Sequence, residues 1–113
     1  MAIPSGSGTE VLKRVTLHGN NATTTEIFSG TANHIYTIIT IVFCNMTSSA
    51  GNIGFKVNDG SNDIYFMDNN SVPAYGTFTW NDKFVMEGDD DLDVYNQSDN
   101  GDWYVSYIDQ DWS

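Results

Sequence analysis

Cysteine occurs once in this 113-residue sequence, histidine twice, and lysine and arginine together four times against 15 aspartates and glutamates. The lone Cys44 cannot form an internal disulfide, and without a second cysteine or an H-x-x-x-H spacing, His18 and His34 do not compose a zinc site. A formal net charge of -11 repels phosphate backbones and anionic lipid, which argues against nucleic acid as a partner. No segment approaches the ~20 apolar residues of a membrane span, so no membrane partner is expected. The start, MAIPSGSGTE, lacks the basic and apolar regions of a secretory signal, and a soluble chain made in a cytoplasm is the expectation.

Leucine and alanine are also scarce, whereas Thr, Val, Ile, Tyr, Phe, Asn, Asp and Gly are plentiful. That mixture disfavours helices and suits short strands joined by turns, so the class is all-β. The length allows one domain with a real core. Residues 1–9, Ser-, Gly- and Pro-rich with a single Ile, read as a flexible N-terminal arm, and residues 10–113 as a single β-sandwich domain.

The longest apolar run is His34 to Asn45, HIYTIITIVFCN, with no Gly, Pro or charge inside it. Its β-branched and aromatic residues pack well on a pleated surface, which predicts a strand. Strict alternation places Ile35, Ile39, Ile41 and Phe43 on one face and Tyr36, Ile38, Val42 and Cys44 on the other. An antiparallel sheet normally keeps one face in water. The second apolar face therefore calls for a cover, either another subunit, a capsid surface, or the chain's own arm or loop.

Other strands are placed by alternation and turn chemistry. Glu10 to Leu17 alternates Val11, Val15 and Leu17 against Arg14 and Thr16, with Lys13 as an exception. Thr23 to Phe28 is a short strand. Ile53, Phe55 and Val57 alternate cleanly, and Asp59-Gly60 is a strong hairpin signal because a tight turn needs positive φ. Ile64 to Met67 returns from that hairpin, and Asp68 to Tyr75 reads as a loop around Pro73. Thr77 to Trp80, Lys83 to Met86, the LDVYN segment and Asp102 to Ile108 follow. Eight or nine short strands at this spacing predict an antiparallel sandwich.

Chemistry-bearing constellations are few. Asp89, Asp91 and Asp93 have the alternate spacing that begins a calcium loop. A helical calcium loop, however, needs Gly where Val94 stands and Glu where Asn100 stands. Loops at one end of a sandwich can also gather calcium, with Asp89, Asp90, Asp99 and Asp102 as the residues to do it, against the plainer reading of a solvated acidic turn. No G-x-S-x-G occurs, and Cys44 lies within a strand, so catalysis is not expected and no cofactor is implied. Asn21, Asn45, Asn69 and Asn96 begin N-x-S/T triplets but read as turn residues. Trp80, Trp103, Trp112 and the tyrosines are either core and contact residues or, beside Asp and Asn, sugar-stacking platforms. A carbohydrate-binding module is therefore the rival from another class.

The order of pieces carries a resemblance. An apolar strand ending in Asn45, a hairpin about Asp59-Gly60, a loop with Pro73 before FTW, the step FVMEGDDDLDV and a closing WYVSYID resemble the small β-sandwich proteins of tailed-phage virions, of the capsid decoration or cement type. The start MAIPSGSGTEVLKR resembles short structural proteins of marine and cyanobacterial phages. The resemblance implies a jelly-roll-like sandwich of about eight strands located in the virion. It would bind the major capsid protein or other virion proteins and catalyse nothing; tail, fibre or baseplate subunits share the pattern. The apolar second faces predict a homo-oligomer, a trimer where capsid threefold positions are occupied, with contacts through Tyr36, Ile38, Val42, Tyr104 and Ile108 and through Ile3 and Pro4 of the arm, against a strand roofed over by a loop of its own chain. Removing Ala2 to Thr9 should weaken attachment to the particle and leave the sandwich folded. Unchanged occupancy on purified particles would refute the arm's role.

Overall fold

The structure, a computed structural model, describes residues 9–19, 24–97 and 100–112. Ile3 and Pro4, with most of the arm, lie outside the described residues, as does Asp99. Among the described residues there are nine strands: β1 (Thr9–His18), β2 (Thr24–Ser29), β3 (His34–Asn45), β4 (Gly51–Asn58), β5 (Asp63–Val72), β6 (Thr77–Trp80), β7 (Phe84–Glu87), β8 (Asp91–Asn96) and β9 (Gly101–Asp111). All ladders are antiparallel.

The pairs are nested. β4 pairs β5, β3 pairs β6 and β7, β2 pairs β8, and β1 pairs β9. Folding that long hairpin over on itself adds β3 to β9 and β4 to β8. The outcome is two sheets, β1-β9-β3 with β6 and β7 end to end on the far edge of β3, and β2-β8-β4-β5. This is the jelly-roll arrangement, its sixth position filled by two short strands, which reconciles nine strands with about eight.

The tip of the nested hairpin is the Asp59-Gly60 turn. Gly60 adopts φ 95°, and the Asp59 side chain accepts bonds from the amides of Ser61 and Asn62. These bonds hold the Asp59 carboxyl below its ordinary pKa. β5 runs on to Val72, through the segment that reads in the sequence as a loop. It does so because irregularities opposite Gly54 and Phe55 let it keep pairing with β4. A Cβ on Gly54 would stand 2.5 Å from the Asp68 carbonyl oxygen, so only glycine lets β5 ride this close.

The faces of β3 depart from strict alternation. A bulge between Ile38 and Thr40 inserts Ile39 as an extra residue against β9. Tyr36 and Ile38 before it, and Ile41 and Phe43 after it, therefore all point into the sandwich. Tyr36 is 2% exposed and Ile38 1%, so neither is available as the contact residue that alternation suggests. They meet Ile53, Phe55, Leu92, Val94, Trp103 and Val105 in one core, with Phe43 and Trp103 in ring contact at 4.7 Å.

The buried polar residues Asn45, Asn96 and Asp109 have partners, whereas the buried indole N–H of Trp112 has none among the described residues. Asn45 presents its side-chain amide to the carbonyls of Ser49, Val72 and Pro73 and accepts from the Thr47 amide and hydroxyl. Asn96 accepts from the Trp103 indole at 3.1 Å. Lys13, the exception in β1, shares the side of Val15 and Leu17 and stays about half exposed, its ammonium donating at 2.8 Å to the buried Asp109 on β9, and His34 stands 2.7 Å from the other oxygen of the same carboxylate. Burial raises the Asp109 pKa, but the bonds from Lys13 and His34 outweigh it and hold the group below the ordinary carboxylate range.

Two predictions follow from packing and charge. Deleting Ile39 would remove the bulge and leave Tyr36, Ile38, Ile41 and Phe43 in plain alternation on the inner face, whereas deleting the paired Val42 would turn Ile41 or Phe43 out of the core. The Ile39 deletant should keep a cooperative thermal transition by circular dichroism and the Val42 deletant should lose most of its stability; the reverse order would contradict the assignment. Because the Asp109 pKa is lower folded than unfolded, its stabilisation is complete above the unfolded value of ~3.9 and is lost as pH falls through the folded one. Asp109→Asn should therefore cost about 1–3 kcal/mol at neutral pH and flatten the acid limb of stability in denaturant titrations.

Candidate functional site

With the inner faces committed to the core, surface function rests on the two outer faces, which differ in chemistry. On the β1-β9-β3 sheet, cross-strand rows can be read from the register. Leu12, Ile108, Thr37 and Val85 form one row. Arg14, Ser106 and Thr40 form the next, and Thr16, Tyr104, Val42 and Thr79 a third. These three rows contain no carboxylate and one arginine, in a chain with net charge -11.

The same rows hold large exposed apolar side chains. Leu12 is 72% exposed, Val85 62% and Tyr104 43%. Val42 and Ile108 are half-buried beside them. Of the contact residues expected from sequence, Val42, Tyr104 and Ile108 thus share this face, whereas Tyr36 and Ile38 do not. Leu12 and Val85 are missed by sequence reasoning. For Leu12 a signal exists, since it falls out of phase with Val15 and Leu17, the half-buried apolar residues of its own strand, and with Val11, which shares their side but is 45% exposed.

A shallow depression of about 330 Å³ at one end of this face is lined by Thr16, His18, Val42, Cys44, Asp102 and Tyr104, among others. His18 Nδ1 lies 2.5 Å from Asp102 Oδ1, and Cys44 sits in the same row on the opposite side of Asp102. The carboxylate separates the ring from the thiol, which is the wrong order for an imidazole to activate a nucleophile.

The outer face of β2-β8-β4-β5 is polar and acidic. Glu26, Asp93, Lys56 and Tyr65 make one row. Thr24, Tyr95 and Gly54 make the next. Lys56 donates to Asp63 at 3.0 Å and lies 5.4 Å from the Tyr65 ring centroid. Repulsion from Asp91 raises the Glu26 pKa, and burial raises that of Asp93. A groove of about 260 Å³ opens on this face, lined in part by Lys56, Tyr65, Asp93 and Tyr95.

The expected calcium candidates are dispersed. Asp89 occupies the turn between β7 and β8 with φ 77°, Asp91 accepts from Ser29 at 2.8 Å, and Asp93 lies beside Lys56 in the groove. Among the described residues, no three of His, Cys, Asp and Glu gather into a group that would hold a metal ion. The acidic turn is built by its own bonds instead. The Asp90 carboxylate accepts from the Glu87 amide, and the Asp90 carbonyl accepts from Gly30.

No family model matches the sequence, and no curated protein matches it either. Among solved structures, the chain is similar to one from Bacillus endospore appendages, described as a novel family of disulfide-linked pili. The TM-score is 0.57 at 14% identity, over 100% of this chain and 97% of that one. It is similar to a chain of the acidic stable capsid of Helicobacter pylori bacteriophage KHP30, with a TM-score of 0.58 at 9% identity over 96% and 92%. It is similar also to a chain of the T13 IBDV viral particle, with a TM-score of 0.59 at 10% identity, over 97% of this chain but 33% of that one. At such identities the likeness concerns the fold alone.

Proposed function

We propose that this chain is a structural subunit of a phage virion that decorates and reinforces the capsid shell. It binds the major capsid protein, and neighbouring copies of itself, through the outer face of β1-β9-β3. The observation that carries the reading is the run of three carboxylate-free rows displaying Leu12, Val85 and Tyr104 on an otherwise strongly acidic molecule. Depletion of charge together with exposed aromatic and aliphatic side chains is the composition of the buried centre of a protein contact. Covering this face contributes roughly 1.5–3 kcal/mol for each large side chain, against the entropic cost of association.

The fold likeness to capsid chains supports a place in a shell. The likeness to disulfide-linked pili leads elsewhere chemically. A linear polymer closed by a disulfide at every junction needs two thiols per subunit, and this sequence holds Cys44 alone. Non-covalent packing of sheet faces is the mode its residues support. The acidic outer face of β2-β8-β4-β5 points away from the shell, where like charge keeps particles apart. Copies on capsid threefold positions meet as trimers.

Leu12→Asp with Val85→Asp puts two carboxylates into the carboxylate-free rows without touching the core. The double variant should unfold at the wild-type temperature, sediment as a smaller species, and occupy purified particles about tenfold less or lower still. Wild-type occupancy by the variant, or absence of the chain from virions, would overturn the reading.

A further inference from the structure

The groove on the other sheet is unlike the apolar face and has no part in that assembly. Its shape comes from one missing side chain. In the row Thr24, Tyr95, Gly54, the position beside Tyr95 carries no side chain, and β5 passes over Gly54 instead of extending the row evenly. Tyr95 is left half-buried with Gly54 at its side, and Tyr65, 57% exposed, stands in the adjoining row. Asp93 and Lys56, directly opposed across β8 and β4, lie in the same row as Tyr65. Asp68 and Asn69 of the irregular stretch of β5 complete the lining.

The geometry points to a binding site for a neutral sugar ring in this groove, with the two tyrosines as stacking platforms and Asp93, Asn69 and Lys56 as hydrogen-bonding partners for ring hydroxyls. A hydroxyl both donates and accepts, and the lining offers both kinds of group: carboxylates that accept, an ammonium that donates, and amide and phenol groups that do either. Tyrosine rings match the flat apolar face of a pyranose while keeping a polar tip. A volume of about 260 Å³ is close to the lower end of small-ligand sites, the scale of a single ring and part of its neighbour.

Other ligand classes fit less well. Asp68 and Asp93, with Glu26 and Asp91 nearby, repel anions. An organic cation meets Lys56, whose ammonium already lies against the Tyr65 ring and bonds Asp63. The raised pKa of Asp93 reflects a carboxyl partly withdrawn from water, a setting in which a bond to a hydroxyl gains strength.

The test is retention of the full chain on a glycan array bearing neutral hexose and N-acetylhexosamine oligosaccharides, sialylated glycans, and amine and choline conjugates. Calorimetric titration of the best neutral oligosaccharide follows. The wild-type chain should retain neutral glycans, with Tyr65→Ala and Asp93→Asn each weakening binding by about tenfold or more. Leu12→Asp with Val85→Asp should bind as wild type. Thermal unfolding of each variant checks that the sandwich is intact, and Tyr65, being exposed, can be removed without a cavity. Retention of no neutral glycan, retention only of charged probes, or binding unchanged in both groove variants would each overturn the proposal.

Discussion

The extra residue at Ile39 is the constraint on which the sandwich depends. β3 is paired along both edges over almost its whole length, with β9 on one side and β7 then β6 on the other. Its side chains span the core from Tyr36 at one end to Phe43 at the other. A twelve-residue strand that long twists relative to the opposed sheet, and an even alternation would deliver its second half out of phase. The bulge resets the phase once, near the middle. The far edge of β3 changes partner in the same region, from β7 at Ile35–Ile38 to β6 at Ile41–Cys44. The bulge and the split of the sixth strand position into β6 and β7 thus fall at the same level of the sheet.

The ends of the sandwich are closed by polar knots rather than by more apolar surface. At one end Asn45 joins the loop after β3 to the end of β5 through five side-chain contacts, all on backbone atoms or on Thr47. At the other end Asp109 gathers Lys13 and His34, tying β1, β9 and β3 together. Phe28, Tyr36 and Tyr107 pack edge to face, at 4.7 Å for both Phe28 pairs, on the same side of the sheet. Buried polar groups of this kind are costly if half-satisfied and fix one register if fully satisfied. They define which strands meet, while the aromatic core supplies the cohesion.

How much of this is legible in the sequence depends on the range of the signal. Turn and alternation signals are local, and Asp59-Gly60, Ile53 to Val57 and the run from Trp103 to Tyr107 state their roles in a few residues. What cannot be read locally is whatever depends on a partner strand. Ile39 looks like any other Ile in HIYTIITIVFCN, and only the ladder with β9 reveals it as the inserted residue. Lys13 breaks the pattern of β1 until Asp109, 96 positions away, is seen to receive it. Asp68 to Val72 has the composition of a loop, and it is strand because Gly54 makes room for it. The inference that an apolar face needs a cover is sound in kind, but the bulge moves that face from Tyr36 and Ile38 to Leu12, Val85 and Tyr104.

The distribution of charge then gives the molecule two sides. Net charge of this size disfavours self-association over any surface that shares it evenly. Here the acids avoid the middle of one face. The central rows of β1, β9 and β3 carry Arg14 and no acid, whereas Glu10, Glu87 and Asp102 stand in the rows that flank them and Glu26, Asp63, Asp68, Asp91 and Asp93 belong to β2, β5 and β8. The flanking carboxylates lie one pleat repeat, about 7 Å, from the apolar rows and within a screening length of ~8–10 Å, so they form a charged rim that limits the extent of the contact. The carboxylates of the other sheet lie a further layer away, about 10 Å, and leave the centre of the contact face to its apolar and hydroxyl side chains.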